Sequence, residues 1–125
     1  MERGDRAVEL KHNGHNCCQA VLAAFQEELA LEPELLRQLG APFGTGLGCM
    51  EGTCGALVAA ALILGRVKSE GKPMHPVSKE LVRRFREAAG DTVCRRLKGV
   101  DTGEMLCSCD DCVRIAADLA GEFLA

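Results

Sequence analysis

Apolar residues that recur every three or four positions constrain this chain to a helical fold. One face of a helix has this periodicity, whereas a β-strand would show strict alternation, which no segment displays. Hydrophobic residues make up 47% of the 125 residues, which is enough to build one core. We therefore predict a single all-α domain over residues 1–125. The first clear stripe contains Cys18, Val21, Leu22, Phe25 and Leu29.

The predicted architecture is a compact bundle of five to six helices around a buried apolar helix at about 53–64. That segment is apolar on nearly all sides, as expected of a central helix, and Gly65 is predicted to end it. Asn16 is a suitable N-cap for the first helix. Pro33 opens a second helix, which Gly40 ends.

Three more helices are predicted in the second half of the chain. One follows Pro76 and buries Leu81 and Phe85. A short helix follows, capped by Asp91. The last helix starts near Asp110, and its apolar stripe indicates that it packs on the core.

Charge and composition exclude several classes of function. The net charge of −3 argues against nucleic-acid binding, and the aromatic content of 3% leaves few side chains on which bases could stack. The longest apolar run, Ala56 to Leu64, is too short to span a bilayer, which takes about 20 residues. The charged residues at 1–6 do not resemble a signal peptide. We therefore expect a cytoplasmic protein.

The chain contains eight cysteines, and four of them share a position relative to the helices. Cys17, Cys54, Cys94 and Cys112 each fall in the first turn of a different predicted helix. Free backbone N–H groups and the positive end of the helix dipole stabilise a thiolate there. Thiolates bind metal ions and attack disulfides. We predict these four as cofactor- and metal-binding residues, for an iron–sulfur cluster or a single Fe or Zn ion.

The other cysteines have less certain roles. Cys18 lies on the stripe of large apolar residues and is predicted to belong to the core. Cys107, Cys109 and Cys112 are three thiols within six residues, and such thiols can converge on a metal or form a C-x-x-C redox pair. The role of Cys49 is left open.

Other candidate features favour structural roles. Gly44, Gly46 and Gly48 indicate a turn, because the pattern lacks the third glycine and the strand of a phosphate-binding loop. His15 is expected to be exposed ahead of the helix cap. The following basic residues are predicted to form a solvated face, with docking of an acidic partner as the alternative: Arg83, Arg84, Arg86, Arg95, Arg96 and Lys98.

Four short segments carry a resemblance to a known family. They are Asn16-Cys17-Cys18-Gln19-Ala20-Val21-Leu22, Cys54-Gly55-Ala56-Leu57-Val58-Ala59, Cys94 and Cys112-Val113. Together with the intervening glycine-rich stretch they resemble the redox-active C-GCAxxG-C-C family from about Gly14 to Ala120. The resemblance implies a redox role for Cys17, Cys54, Cys94 and Cys112. A related domain in split-Soret cytochromes implies iron–sulfur binding. Ala59 stands where the family motif has its last glycine.

Three functions remain open from the sequence. The first is electron transfer by a bound cluster or metal, with an unknown redox partner protein. The second is thiol–disulfide chemistry by pairs such as Cys109 with Cys112, or Cys17 with Cys54. The third is a structural or partner-binding helical domain. A homodimer is also plausible, because a small apolar domain can expose an adhesive face.

Overall fold

A computed structural model describes residues 2–125, and this range forms an all-α fold of eight α-helices. The prediction of an all-α fold is confirmed. None of the helices in this range is long and apolar enough to cross a membrane. The helices are α1 (Arg3–His12), α2 (Cys17–Ala24), α3 (Gln26–Leu29), α4 (Pro33–Gly40), α5 (Gly55–Lys68), α6 (His75–Ala89), α7 (Cys94–Leu97) and α8 (Cys109–Leu124).

The central helix is α5, as predicted from its apolar composition. It packs against α2 and α8, and its residues Ala56, Ala60 and Ile63 have no exposed surface. The prediction that Gly65 ends this helix is wrong, because α5 continues to Lys68. A glycine costs about 1 kcal/mol inside a helix relative to alanine. Favourable interaction of the last-turn cations with the helix dipole offsets part of that cost.

The number of helices exceeds the predicted five to six for two reasons. Helix α1 lacks a stripe of large apolar residues, and it packs on α8 through the small residues Gly4 and Ala7. The Gly4 N–H donates to Asp118 Oδ1 at 2.8 Å, so α1 is held by a contact distant in sequence. The predicted first helix is also divided, since Phe25 separates α2 from α3.

The predicted caps are confirmed at α2 and corrected at α7. The Gln19 N–H donates to Asn16 Oδ1 at 2.8 Å, and the Gln19 side chain accepts from the Asn16 N–H. This reciprocal pair is a capping box. Asp91, in contrast, does not cap α7, whose N-cap is Val93. Its carboxylate accepts from the Thr92 and Val93 N–H groups and orders the turn before the helix.

The glycine-rich segment between α4 and α5 forms a tight turn, as predicted. Thr45, Gly46, Leu47 and Gly48 all have positive φ angles, between 54° and 81°. Gly46 also approaches α7, because a Cβ atom there would lie 2.6 Å from the Cβ of Cys94. The turn therefore needs glycine both for its backbone conformation and for the contact that it makes.

Candidate functional site

The structure brings the four predicted cysteines together around Cys54. Cys17 and Cys94 are the first residues of α2 and α7, Cys54 is the N-cap of α5, and Cys112 lies in the first turn of α8. Cys112 has the largest influence on the pKa of Cys54, and the charge of a Cys54 thiolate acts on both Cys17 and Cys94. Four helix starts therefore converge on one cluster of sulfur atoms.

A short backbone pairing holds Cys54 beside Cys94. The Cys54 N–H donates to the Thr92 carbonyl at 2.8 Å, and the Cys94 N–H donates to the Gly52 carbonyl at 3.0 Å. Thr53 lies between these two bonds as one residue of an isolated antiparallel bridge. Hydrogen bonds of this kind fix the backbone position of both cysteines before either helix starts.

Gly55 provides the space for the Cys17 sulfur. A Cβ atom at Gly55 would lie 2.7 Å from Cys17 Sγ and 2.4 Å from the Phe43 carbonyl oxygen. Neither distance is tolerable for a real Cβ, and the Phe43 contact is with backbone. The first residue of α5 is therefore a glycine because the adjacent thiol and the backbone occupy the volume of a side chain.

Cys54 is the cysteine that the site prepares for ionisation. The hydrogen bond from Cys112 is the largest cause, and the N–H groups of Ala56 and Leu57 and the charge of Lys98 add to it. Burial opposes these effects, but together they lower the pKa of Cys54 to about 6. The N–H groups and the helix dipole at the start of α5 favour negative charge, so the site favours the thiolate form of Cys54.

The other three thiols of the cluster keep their protons when Cys54 is ionised. The hydrogen bond with Cys54 is the main cause that raises the pKa of Cys112, and burial adds to it. Burial raises the pKa of Cys17 and of Cys94, and the charge of Cys54 contributes to both shifts. The cluster therefore combines one thiolate with three thiols. These thiols would lose their protons on binding a metal ion or on oxidation to a disulfide.

Lys98 is part of the site, so the prediction that it belongs to a solvated face is wrong. Its Nζ donates to the Cys107 carbonyl at 3.0 Å and lies 3.7 Å from Cys112 Sγ. Burial lowers its pKa, but the charges of Cys112, Cys109 and Cys54 raise it more, so the ammonium is retained. A sequence signal was present, since Lys98 follows Cys94 by four residues and a helix places such residues on one face.

The remaining cysteines divide between the rim of the site and the core. Cys107 is 7% exposed, and its pKa is raised by burial, while a hydrogen bond with Cys112 opposes the shift. Cys109 is exposed, and it contributes to the raised pKa of Lys98. Cys18 has no exposed surface and burial raises its pKa to about 12, which confirms its prediction as a core residue.

Cys49 and His15 lie apart from these contacts. Cys49 is exposed, and its thiol is 3.7 Å from Glu51 Oε2. His15 is half-buried, and its Nδ1 and Nε2 lie within hydrogen-bond distance of the Leu10 carbonyl and the Arg37 guanidinium. The prediction that His15 is exposed is therefore wrong. Neither residue has a described interaction with the sulfur cluster.

Most of the predicted basic face is solvated and engaged with carboxylates. Arg83 pairs with Glu80 and Glu87, and Arg95 pairs with Asp101. Such exposed pairs contribute little to stability. The arginines of this face therefore need no redox role to explain their positions.

The donor set of the cluster fits a soft metal or an iron–sulfur cluster in its chemistry. Thiolate sulfur is the preferred ligand for both, and four thiolates are the usual complement. The N–H groups at the start of α5 and the Lys98 ammonium offset the negative charge that such ligands carry. Within residues 2–125 no three His, Cys, Asp or Glu side chains already have the geometry of a metal site. Binding would therefore require the thiols to turn toward a common centre.

The comparisons with known proteins agree with the arrangement of the cysteines. A family model described as a putative redox-active protein (C_GCAxxG_C_C) matches residues 15–123. Because the match covers well over half of the chain, the chain belongs to this family, and the predicted resemblance is confirmed. No curated protein and no solved structure shows significant similarity to the chain.

Proposed function

We propose that this redox-active protein uses Cys17, Cys54, Cys94 and Cys112 to bind an iron–sulfur cluster or a single transition metal ion, and that it transfers electrons. The observation that carries this proposal is the convergence of four thiols from four helix starts on Cys54. The family is described as redox-active, which agrees with an electron-transfer role.

The cost of gathering four thiols supports a bound cation. Without a metal the pKa shifts favour ionisation of Cys54 alone. Four thiolate ligands would repel one another, and burial disfavours the ionised form of each. The N–H groups of Ala56 and Leu57 and the ammonium of Lys98 compensate for only part of this charge. A metal ion or cluster would supply the missing positive charge, and iron, alone or in a cluster, would also provide the one-electron chemistry of a redox protein.

The decisive experiment is metal and sulfide analysis of protein prepared without oxygen. We expect sulfur-to-iron charge-transfer absorption together with acid-labile sulfide for a cluster, or stoichiometric iron for a single redox-active ion. Stoichiometric zinc would support the metal site but overturn electron transfer by it, because Zn²⁺ has no redox chemistry. Cys54→Ser removes the central ligand and should abolish this content. Cys49→Ser serves as the control, because Cys49 is exposed and outside the cluster. Wild-type protein that is folded but free of iron, zinc and sulfide would overturn the proposal.

A second candidate function is thiol–disulfide exchange by Cys54 and Cys112. The opposite pKa shifts of these two neighbouring side chains favour it, because they leave one nucleophilic thiolate beside one protonated thiol. In such a reaction Cys54 attacks a disulfide substrate and releases one thiol. Cys112 then attacks the mixed disulfide and releases the second thiol, so two electrons pass from the protein to the substrate.

The two candidates make different predictions for a glutathione redox titration. The exchange mechanism predicts a reversible two-electron midpoint in metal-free protein that disappears in both Cys54→Ser and Cys112→Ser. It also predicts a Cys54–Cys112 disulfide in the oxidised form, which peptide mass mapping would detect. If the metal-free protein shows neither, and the same variants lower only the stability, the cysteines have the structural role that the sequence left open.

A further inference from the structure

Cys107 is a buried cysteine outside the four proposed metal ligands. It is 7% exposed and belongs to the same hydrophobic core as Cys112, which is 1% exposed. The segment that leads to it, residues 100–106, is exposed throughout. Cys107 therefore places a further thiol at the boundary between solvent and the sulfur cluster.

The N-terminus of α8 sets Cys107 against Cys112. Ser108 is the N-cap of this helix, because its Oγ accepts from the Asp111 N–H at 3.1 Å and its carbonyl accepts from the Cys112 N–H at 2.8 Å. Cys107 is thus the residue before the cap, and Cys112 is the fourth residue of the helix. Apolar side chains at these two positions pack on each other in a hydrophobic staple. In this chain both members of the staple are cysteines.

The contacts of the Cys112 sulfur agree with this placement. Cys112 Sγ lies 3.9 Å from the Cys107 carbonyl oxygen. Lys98 Nζ donates to the same carbonyl oxygen at 3.0 Å and lies 3.7 Å from Cys112 Sγ. The N–H groups of Leu106 and Cys107 both donate to the Leu97 carbonyl, at 2.9 and 3.2 Å. Helix α7 therefore fixes the backbone of Cys107 beside the Cys112 sulfur.

Cys109 is the other thiol of α8 that is close to Cys112 in sequence. The two residues have the C-x-x-C spacing of a redox pair, and residues three apart on a helix are neighbours. Cys109 is exposed, however, whereas Cys112 lies in the hydrophobic core together with Cys107. The shared burial favours Cys107 as the partner of Cys112.

We propose that Cys107 and Cys112 form a reversible disulfide, with a low-molecular-weight disulfide such as glutathione disulfide as the oxidant. The Cys107 thiolate attacks the oxidant, forms a mixed disulfide and releases one glutathione thiolate. The Cys112 thiolate then attacks the Cys107 sulfur, breaks the mixed disulfide and releases the second glutathione thiolate. Each released thiolate takes up one proton. The two cysteines therefore lose two electrons and two protons, and the oxidant becomes two thiols.

The disulfide controls metal binding, a consequence that rests on the proposed function. Thiolate sulfur is the form of cysteine that binds a metal, and a sulfur in a disulfide has no charge to offer. Oxidation of the pair therefore leaves only Cys17, Cys54 and Cys94 of the four proposed ligands. Reduction of the disulfide returns the Cys112 thiol and restores the complete set.

Peptide mass mapping of metal-free protein tests the disulfide. Reduced protein is equilibrated with glutathione disulfide without oxygen, and the remaining thiols are alkylated before digestion. We expect the Cys107–Cys112 disulfide in the wild type and in Cys109→Ser, the matched control that removes the exposed neighbouring thiol. Reduced glutathione should return both thiols. A disulfide of Cys112 with Cys54 or Cys109 in place of Cys107, or no disulfide at Cys112, would overturn the proposal.

The Zn²⁺ affinity of the same samples tests the control of metal binding. Oxidised wild type should bind Zn²⁺ at least about tenfold more weakly than reduced wild type, since even changes outside the ligand set cost that much affinity. Cys107→Ser cannot form the disulfide, so it should keep the affinity of the reduced protein after the same oxidation. Circular dichroism establishes that this variant is folded.

The two measurements separate this proposal from the proposed metal site. Equal Zn²⁺ affinities of oxidised and reduced wild type would overturn the control of metal binding. Reduced wild type that binds no Zn²⁺ would overturn the metal site and its control together. The Cys107–Cys112 disulfide is decided by the peptide map in either case, because that experiment uses metal-free protein.

Discussion

Helix α5 is tightly packed at its first residue, Gly55, and open near its last turn, at Gly65. At the start, the space beside Gly55 is filled by the Cys17 sulfur and by backbone. Ten residues later, Gly65 has no atom within 4 Å of the position of a Cβ. The two glycines of this helix therefore differ in the space around them. At Gly55 the absence of a side chain is required by the sulfur cluster, and at Gly65 it leaves an apolar groove open.

The largest expected effect is that of a side chain at the packed end. In Gly55→Ala, the new Cβ would meet the Phe43 carbonyl oxygen at 2.4 Å and Cys17 Sγ at 2.7 Å. We expect the free energy of unfolding to fall by about 2–3 kcal/mol, because backbone cannot move aside as a flexible side chain can. Urea denaturation of the metal-free protein measures this loss. An unchanged urea midpoint would show that the start of α5 can accommodate a methyl group after all.

Removal of the Lys98 ammonium tests how much its positive charge lowers the pKa of Cys54. In Lys98→Met, the pKa of Cys54 should rise toward its ordinary value, because Lys98 is one of the causes that lower it. The loss of about 1 kcal/mol of thiolate stabilisation should lower the fraction of Cys54 that is ionised about fivefold at pH values well below its pKa. Alkylation of Cys54 in reduced, metal-free protein at pH 5 should slow accordingly, and the difference should vanish above pH 9, where the thiolate predominates in both proteins.

Lys98→Arg is the control for this measurement. It keeps the positive charge, so its alkylation profile should stay close to that of the wild type. If Lys98→Met and wild type give the same profile, the hydrogen bond from Cys112 and the helix N–H groups account for the thiolate without the ammonium.

Loss of the cap that positions Cys17 should have a smaller effect. In Asn16→Ala, the Gln19 N–H loses its acceptor, and the two hydrogen bonds from Asn16 Nδ2 to the carbonyls of Gly40 and Ala41 also disappear. We expect a destabilisation of about 1 kcal/mol, the typical value for an N-cap. Asn16→Ser retains a capping oxygen and should recover part of the loss in thermal denaturation. Equal stability of both variants would assign the effect to the contacts with α4.

The smallest expected effect is that of a side chain at Gly65, and it should stabilise the protein instead of destabilising it. Gly65→Ala adds a methyl group where no atom lies within 4 Å, inside a helix. The helix propensity of alanine should raise the free energy of unfolding by about 0.5–1 kcal/mol. Urea denaturation measures this gain. A destabilised protein would show that α5 is as tightly packed at Gly65 as at its start.

The sequence predicted the features that depend on local spacing. The stripe from Cys18 to Leu29 predicted a helical face, and Asn16 followed by Gln19 three residues later carried the cap of α2. The apolar composition of the α5 segment predicted its burial. These features were accessible because helix periodicity and capping depend on residues within about four positions of one another.

The contacts between segments distant in sequence were not accessible in this way. Helix α1 is held by Asp118 and by close packing on α8. It has no apolar stripe from which the sequence could predict it. The spacing of Lys98 from Cys94 puts both residues on one helix face, but its place beside Cys112 depends on how α7 meets α8. The continuation of α5 through Gly65 and the groove beside that residue also follow from the packing of whole helices.

The sequence by itself determined an all-α fold and a set of four cysteines at helix starts. Periodicity and the position of each cysteine relative to its helix are properties of short segments, and they need no knowledge of the neighbours. The tertiary structure decided that Cys54 is the common neighbour of the other three thiols and that Cys112 has the largest influence on its pKa. Which thiol ionises depends on charges and donors brought together from different helices, and only packing fixes those distances.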